Sequence, residues 1–198
     1  MADHTTTRRT LLAGSLGGSA IGGLVLTTAD AEAAVSVPSE PSVDFFVAVA
    51  GLPGESQDSQ FPKTFDTLDW SFGATTSVSP TNTGNGVGKV KPQPFVIVKH
   101  VDKASPLLFK ACATGKHFPS VTLTARKRAA KDPYLRVVIR DVFISSYRMT
   151  PGSVDAFPLD VVGFDYRSVL ITFTPQNPDG SLGTPVKAGF DFVKNKVL

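Results

Sequence analysis

The chain has 198 residues, of which 41% are apolar, and it carries 20 Lys and Arg against 17 Asp and Glu. This composition is that of a globular protein and excludes a disordered or a collagen-like chain, while a dispersed net charge of +3 does not favour nucleic-acid binding. The single cysteine, Cys112, excludes an internal disulfide.

The first 33 residues have the pattern of an export signal. Arg8 and Arg9 stand directly before an apolar stretch, 11–26, that five glycines dilute. Adjacent arginines before such a stretch are typical of a twin-arginine signal peptide, which exports proteins that have already folded. A membrane-spanning helix is less favoured, because about 16 residues are fewer than the roughly 20 that a bilayer requires.

Small residues at alternate positions, Ala31 and Ala33, predict cleavage before Ala34. The remaining ~165 residues suffice for one domain with its own core. We therefore expect a signal peptide over 1–33, a short linker over 34–42 and a single domain over 43–198. This organisation predicts a periplasmic or extracellular protein with no stable membrane insertion after cleavage.

Beyond residue 43 the chain consists of runs rich in Val, Ile, Phe and Thr, separated by Gly and Pro. Such runs are typical of β-strands, and alternating apolar residues in 121–125 and 169–174 indicate strands with one buried face. The predicted strands are 43–50, 65–76, 95–101, 120–127, 134–147, 159–174 and 186–193. We expect a mainly β fold, a compact antiparallel β-barrel or sandwich of two sheets with one short flanking α-helix.

Three polar segments are predicted to be loops. Residues 78–91 contain Gly, Asn and Pro with almost no apolar side chains, so they should project from the barrel. Residues 174–185 are rich in turn-forming residues between two predicted strands and indicate a hairpin connection. The dense basic run 126–128 is interpreted as a solvated loop.

One helix is predicted, over 105–115. Ser105 suits the N-cap, Pro106 the first helical position, and Gly115 the left-handed residue that ends a helix. Spacing of three to four residues predicts a buried stripe formed by Leu107, Leu108, Ala111 and Cys112. Cys112 is therefore interpreted as a small core residue and not as a nucleophile.

Few residues are candidates for catalysis or for binding a metal or a phosphate. His100, Asp102 and Ser105 lie within six positions, but Ser105 is assigned to the helix cap, so a catalytic group is not expected. His117 has no second ligand at a metal-binding spacing, and 84–89 lacks the lysine and hydroxyl pair of a phosphate-binding loop. The sequence predicts no catalysis, no metal and no cofactor.

Eight ordered segments, spread over 43–196, resemble the haemolysin-coregulated protein (Hcp) family, the tube protein of type VI secretion systems. They are GLPGESQD at 51–58, DWSFG at 69–73, DKASP at 102–106, KACATGKH at 110–117, VTLT at 121–124, DVFISSY at 141–147, FTPQNPDG at 173–180 and AGFD at 188–191. The resemblance implies a β-barrel that assembles into a homohexameric ring around a wide hydrophilic hole.

Rings of this family stack into tubes that carry or propel other proteins. The resemblance therefore implies stacked rings of this chain, with cargo proteins in the pore and a spike-like cap as further partners. Nucleic acid is not expected as a partner, because the basic residues are dispersed along the chain. The family's loop after the Trp-containing strand reaches the neighbouring ring. By position this implies an inter-ring contact formed by Gly84, Asn85, Gly86, Val87, Gly88 and Lys89, with a mobile loop as the alternative.

The export signal is a departure from the family pattern, because tube subunits of type VI systems lack one. We therefore expect an exported structural protein that forms rings and tubes outside the cytoplasmic membrane and is not an enzyme. A true type VI tube or effector-carrier component, with its first residues retained, is the first alternative. A secreted monomeric binding module for glycans or a cell-surface partner is the second.

Overall fold

The computed structural model describes residues 43–81, 84–128, 130–152, 157–179 and 181–198. The predicted signal peptide with Arg8, Arg9, Ala31 and Ala33 lies outside these residues, as does the predicted linker. The elements are β1 Val43–Val49, β2 Phe65–Thr75, β3 Val78–Thr81, β4 Gly84–Val87, β5 Lys91–His100, α1 Ser105–Thr114, β6 His117–Lys127, β7 Leu135–Thr150, β8 Leu159–Phe173, β9 Val186–Asp191 and β10 Lys196–Val197. Over this part of the chain, no helix has the length and apolar character needed to cross a membrane.

Six antiparallel strands close a barrel in the order β8, β5, β2, β1, β6 and β7, with β7 pairing back to β8. β8 pairs with β7 along its length, with β5 through 159–164 and with β9 through 168–173. Since β7 occupies one edge of β8 throughout, β9 follows β5 along the other edge, and β10 pairs in turn with β9. The mainly β barrel with one short flanking helix confirms the predicted fold class.

Each barrel strand sends side chains into one common core. The alternation predicted for 121–125 is confirmed for its apolar face, because Val121, Leu123 and Ala125 are buried. The other face does not meet solvent freely, because Thr122 is half-buried and Thr124 is buried. Burying one such aliphatic or aromatic side chain contributes roughly 1.5–3 kcal/mol. One fully buried residue from each barrel strand illustrates this core: Val47, Phe65, Ile97, Leu123, Val137 and Phe164.

The seven predicted strands are all present, but β5 begins earlier than the sequence indicates. Pro92 and Pro94 lie in this part of β5, although proline cannot donate a hydrogen bond to a neighbouring strand. In the structure this first part of β5 pairs only with β2, and pairing with β8 begins at Phe95. The prolines are tolerated because one side of the strand is an edge at these positions.

The prediction that 78–91 forms an irregular projecting loop was wrong in part. Val78–Thr81 and Gly84–Val87 pair as a two-stranded antiparallel hairpin, from Val78 opposite Val87 to Thr81 opposite Gly84. The Gly88 N–H extends the pairing by donating to the Ser77 carbonyl at 2.7 Å. Backbone pairing needs no apolar side chains, so composition alone did not indicate these strands.

The helix α1 packs against β7 and ends as predicted, at Gly115 with φ of 63°. Its start and its buried face differ from the prediction. Ala104 occupies the N-cap position, and Ser105 is already helical. Leu108 and Ala111 are buried and Cys112 is half-buried, whereas Leu107 is 51% exposed. The buried stripe is therefore narrower than the predicted one.

The basic run 126–128 is not a solvated loop, because Arg126 lies in β6 and is largely buried. Its guanidinium packs over the rings of Phe46 and Phe61 and donates to the Asp58 carboxylate, with a shortest distance of 2.6 Å. This hydrogen bond lowers the pKa of Asp58. These contacts of Arg126 hold the segment between β1 and β2, which contains Asp58 and Phe61, against β6.

The connection 174–185 joins β8 to β9 and confirms the predicted hairpin. β8 and β9 are antiparallel neighbours, with Phe173 opposite Val186. Within the connection, Gln176 pairs with Leu182, and the Asn177 N–H donates to the Ser181 carbonyl at 2.8 Å.

Candidate functional site

The structure brings together only two of the three residues considered for catalysis. The Asp102 N–H donates to the Ser105 Oγ at 2.9 Å. His100 is exposed at the end of β5, where its ring lies 6.3 Å from the Phe157 ring. These three residues do not form a nucleophile with its base.

Lys99, which the sequence analysis did not single out, occupies the centre of this region. Its side chain is only 1% exposed, and its ammonium donates to the Asp102 Oδ1 at 2.8 Å and to the His100 carbonyl at 2.9 Å. The Asp160 Oδ2 lies 3.1 Å from the same ammonium. The strand alternation of β5 contained a signal for this burial, because Phe95, Ile97 and Lys99 all point inward.

Asp160 is fully buried and collects two further hydrogen bonds. Ser105 donates its hydroxyl to the Asp160 Oδ2, and Tyr147 donates to the Oδ1 at 2.8 Å. This contact explains why Ser105 is not the N-cap: its hydroxyl serves the carboxylate and accepts the Asp102 N–H. Burial, and then the adjacent Asp160 carboxylate, raise the pKa of Tyr147, so its hydroxyl remains a donor at neutral pH.

We call Lys99, Asp102, Ser105, Tyr147 and Asp160 the buried ionic cluster. It joins β5, the start of α1, β7 and β8 at one point of the barrel wall. Because Lys99 and Asp160 are shielded from solvent, their charges offer no atom to a substrate. The arrangement holds the helix on the barrel and is structural.

The remaining titratable candidates are at the surface or lack a ligand set. The exposed His117 has its Nε2 3.6 Å from the Asp141 Oδ1, and its ring packs 5.1 Å from Phe143. In the ranges that the structure describes, no three His, Cys, Asp or Glu side chains are grouped to hold a metal ion.

The barrel wall opens along a seam between β1 and β2. These strands pair only through 45–47 and 65–67, although β1 stays paired with β6 back to Val43. From Leu68 to Thr75, β2 has β5 on one side and no pairing strand among the described residues on the other. We call 68–75 the open edge of β2. A cleft of about 480 Å³ lies where the strands diverge, lined partly by Phe45, Asp66 and Leu68.

A second unpaired edge lies at the end of the chain. β10 covers only Phe190 and Asp191, and the Leu198 N–H donates to the Gly189 carbonyl at 3.0 Å. The outer side of β9 over 186–188 has no partner strand within the described part of the chain. We define the C-terminal edge as residues 186–188 with the exposed side chains of Val193, Lys196, Val197 and Leu198.

The C-terminal edge carries exposed apolar side chains. Val186, Val193, Val197 and Leu198 are 62–70% exposed. An unpaired strand edge with exposed apolar residues is a surface on which another chain can pair. The geometry of the molecule therefore offers surfaces for association more clearly than it offers a site for chemistry.

Comparisons with known proteins identify a family to which this chain is similar. Residues 46–173 match the family model described as "Type VI secretion system effector, Hcp". Protein hcp1 of Pseudomonas aeruginosa is 33% identical over 158 residues, which cover 78% of this chain and 98% of the relative. The major exported protein of the same organism is 29% identical over 108 residues, covering 50% of this chain and 63% of the relative.

Solved structures share the architecture. The crystal structure of Hcp1 from Salmonella typhimurium superposes with a TM-score of 0.67 at 25% sequence identity. The superposition covers 79% of this chain and 99% of that protein. The likeness thus extends over the whole barrel.

Proposed function

Because this chain belongs to the Hcp family of type VI secretion proteins, we propose that it is an exported structural protein that forms hexameric rings and stacked tubes. The observation that carries the proposal is a family barrel with two unpaired strand edges, one of them apolar. Unpaired edges of this kind are stabilised when a second chain covers them. The shielding of Lys99 and Asp160 from solvent supports a structural role for the buried ionic cluster over catalysis.

In the proposed tube, the hairpin of β3 and β4 reaches the neighbouring ring. Residues Gly84, Asn85, Gly86, Val87, Gly88 and Lys89 form its second strand and the residues after it. In an isolated two-stranded hairpin, each strand pairs on one side only, so its other side is available to a neighbour. This supports an inter-ring contact made through the backbone. Cargo proteins in the hole and a spike-like cap at the end of a tube are the further partners of this proposal.

Export through the twin-arginine route is the second part of the proposal. It is supported by Arg8 and Arg9 before a glycine-diluted apolar stretch and by Ala31 and Ala33 before the expected cleavage position. The name of one relative, the major exported protein, agrees with release from the cell. A folded barrel is a suitable cargo for this route, since its core is complete before transport.

Electron microscopy and sedimentation of the purified mature protein, residues 34–198, test assembly directly. Ring-shaped particles with six subunits, and their stacks at high protein concentration, are expected. A single-subunit mass at every concentration and salt level would favour the secreted binding module instead. Mass spectrometry of secreted material tests export, since a first residue near Ala34 is incompatible with a tube component that keeps its full N-terminus.

A further inference from the structure

We propose that Lys99 and Asp160 react with each other in the folded protein and form an amide bond between the Lys99 Nζ and the Asp160 Cγ, with release of water. The bond joins β5 to β8 inside the barrel. It forms within one chain, so it does not depend on the proposed assembly into rings.

The backbone holds the two reacting side chains together. Lys99 and Asp160 are directly opposite each other in the antiparallel pairing of β5 with β8. The Cβ atoms of such a pair are about 4.5–5.5 Å apart, and here the Lys99 Nζ lies 3.1 Å from the Asp160 Oδ2. The Cγ, which is bonded to Oδ2, is at most one bond length farther away. Groups held at this distance react without the entropic cost of an encounter.

Exclusion of water favours the neutral product over the ion pair. The side chains of Lys99 and Asp160 are 1% and 0% exposed, and the Lys99 Nζ also lies 5.3 Å from the centre of the Phe65 ring. Transfer of one proton from the ammonium to Oδ2 removes both charges from this site, where charges are costly. It also leaves the nitrogen with the lone pair that a nucleophile needs. The amide is neutral too, and its burial protects it from hydrolysis.

The other members of the buried ionic cluster are placed to assist the reaction. Tyr147 donates to the Asp160 Oδ1 at 2.8 Å, where negative charge develops when nitrogen attacks the Cγ. The Asp102 Oδ1, 2.8 Å from the Lys99 Nζ, stabilises the positive charge on the attacking nitrogen. The Ser105 Oγ lies 3.4 Å from the same Nζ and donates to the Asp160 Oδ2, so it can relay a proton between them.

The reaction balances without a co-reactant. The nitrogen lone pair forms the C–N bond, and one electron pair of the C=O bond moves onto Oδ1. Ser105 accepts a proton from the nitrogen and gives its own to the hydroxyl at Oδ2. The C=O bond re-forms at Oδ1, the bond from Cγ to Oδ2 breaks, and Oδ2 leaves as water. No atom is oxidised or reduced, and the step occurs once per chain, as is compatible with a structural protein.

The amide closes a covalent loop from residue 99 to residue 160, which contains α1, β6 and β7. A covalently closed loop restricts the unfolded chain and so favours the folded state, as a disulfide does. The single cysteine cannot form an internal disulfide. The amide therefore provides a covalent link within the barrel that the cysteine content does not allow.

Mass spectrometry of the purified mature protein tests the bond. The folded wild type is expected to become lighter than its sequence mass by one water molecule. Because an acylated lysine resists trypsin, a digest should contain the peptide 90–103 joined to the peptide 149–167. If the wild type keeps its full sequence mass until the preparation no longer changes, or if the linked peptide is absent, the amide bond is overturned.

Lys99→Arg keeps a cation but lacks the amine, so it is expected to retain its full mass. The matched control, Lys103→Arg, changes a neighbouring lysine whose side chain is 61% exposed, and it should lose water as the wild type does. Circular dichroism establishes that each variant is folded. The same loss of water in Lys99→Arg would place the reaction elsewhere in the chain and overturn the proposal.

Ser105→Ala tests the proton relay. It is expected to form the bond at least about a hundredfold more slowly than the wild type, because the transfer from nitrogen to Oδ2 loses its carrier. An unchanged rate in folded Ser105→Ala would exclude Ser105 from the reaction. Sedimentation of the same preparations measures ring formation separately, so a chain without the amide that still assembles contradicts only the bond.

Discussion

The Lys99 ammonium lies 3.1 Å from the Asp160 carboxylate, and both side chains are shielded from water. Two such charges are costly to bury, and here each is compensated by two further partners: Asp102 and the His100 carbonyl for the lysine, Ser105 and Tyr147 for the aspartate. The pair lies where α1 joins the barrel. The pair therefore helps to hold the helix on the barrel, together with the buried Leu108 and Ala111.

We predict that Lys99→Met destabilises the protein by about 3–5 kcal/mol, because it leaves the Asp160 charge buried without its cation. Urea denaturation followed by circular dichroism measures the free energy of unfolding. Lys110→Met, on the exposed side of α1, is the control and is expected to change it by less than about 0.5 kcal/mol. Equal losses for the two variants would mean that the cluster does not stabilise the fold.

The two adjacent leucines of α1 give a second prediction. Leu108 is fully buried and Leu107 is 51% exposed. Leu108→Asp places a carboxylate in the core and is expected to cost at least ~3 kcal/mol, whereas Leu107→Asp should stay within about 0.5 kcal/mol. Thermal melts of both variants measure the difference. Similar melting temperatures would contradict the observed orientation of the helix.

Much of the fold could be predicted from the sequence, because local patterns determine it. Alternation of the kind seen in Val121, Thr122 and Leu123 indicates a strand with one buried face whatever its partners are. The glycine at 115 likewise ends the helix through its own backbone freedom. These features depend on a few neighbouring residues, so one sequence suffices to predict them.

Features that depend on distant partners were missed. Ser105 has the residue type of an N-cap, but Asp160, 55 positions away, takes its hydroxyl. Arg126 reads as a surface residue until Asp58 and Phe61 are placed beside it. The open edge of β2 could not be predicted at all, because it results from where β1 leaves β2, and pairing registers are not visible in the pattern of one strand.

The contact between Arg126 and Asp58 predicts how stability changes with pH. The hydrogen bond from Arg126 lowers the pKa of Asp58 below 3.8 in the folded protein. The folded state therefore binds that proton less readily than the unfolded state does. The stability from this contact is fully present above about pH 5 and is lost as the pH falls through the folded pKa.

Urea denaturation of the wild type and of Asp58→Asn between pH 7 and pH 3 measures this contribution. The wild type is expected to be more stable than Asp58→Asn at pH 7, and the difference is expected to narrow as the solution becomes acidic. Asp132→Asn changes an exposed carboxylate in the β6–β7 connection and serves as the control. If the difference in unfolding free energy between the wild type and Asp58→Asn stays constant down to pH 3, the stabilisation by this contact does not depend on ionisation of Asp58.

The hairpin of β3 and β4 gives the last prediction, which concerns tube length and not folding. Its pairings are made within the hairpin, and the two strands form a sheet separate from the barrel sheet. Deleting 84–88 removes β4 without removing any barrel strand, so the melting temperature of the monomer should change little. Because the proposed inter-ring contact is lost, single rings should persist while stacks become shorter.

Electron microscopy at matched protein concentration measures stack length. A variant in which the connection 174–185 is shortened by two residues serves as the control. It also loses surface residues, but outside the hairpin, so its stacks should keep their normal length. Stacks of normal length after deletion of 84–88 would exclude the hairpin as the contact between rings. Loss of the rings themselves would instead place the hairpin within the subunit interface, since rings form before they stack.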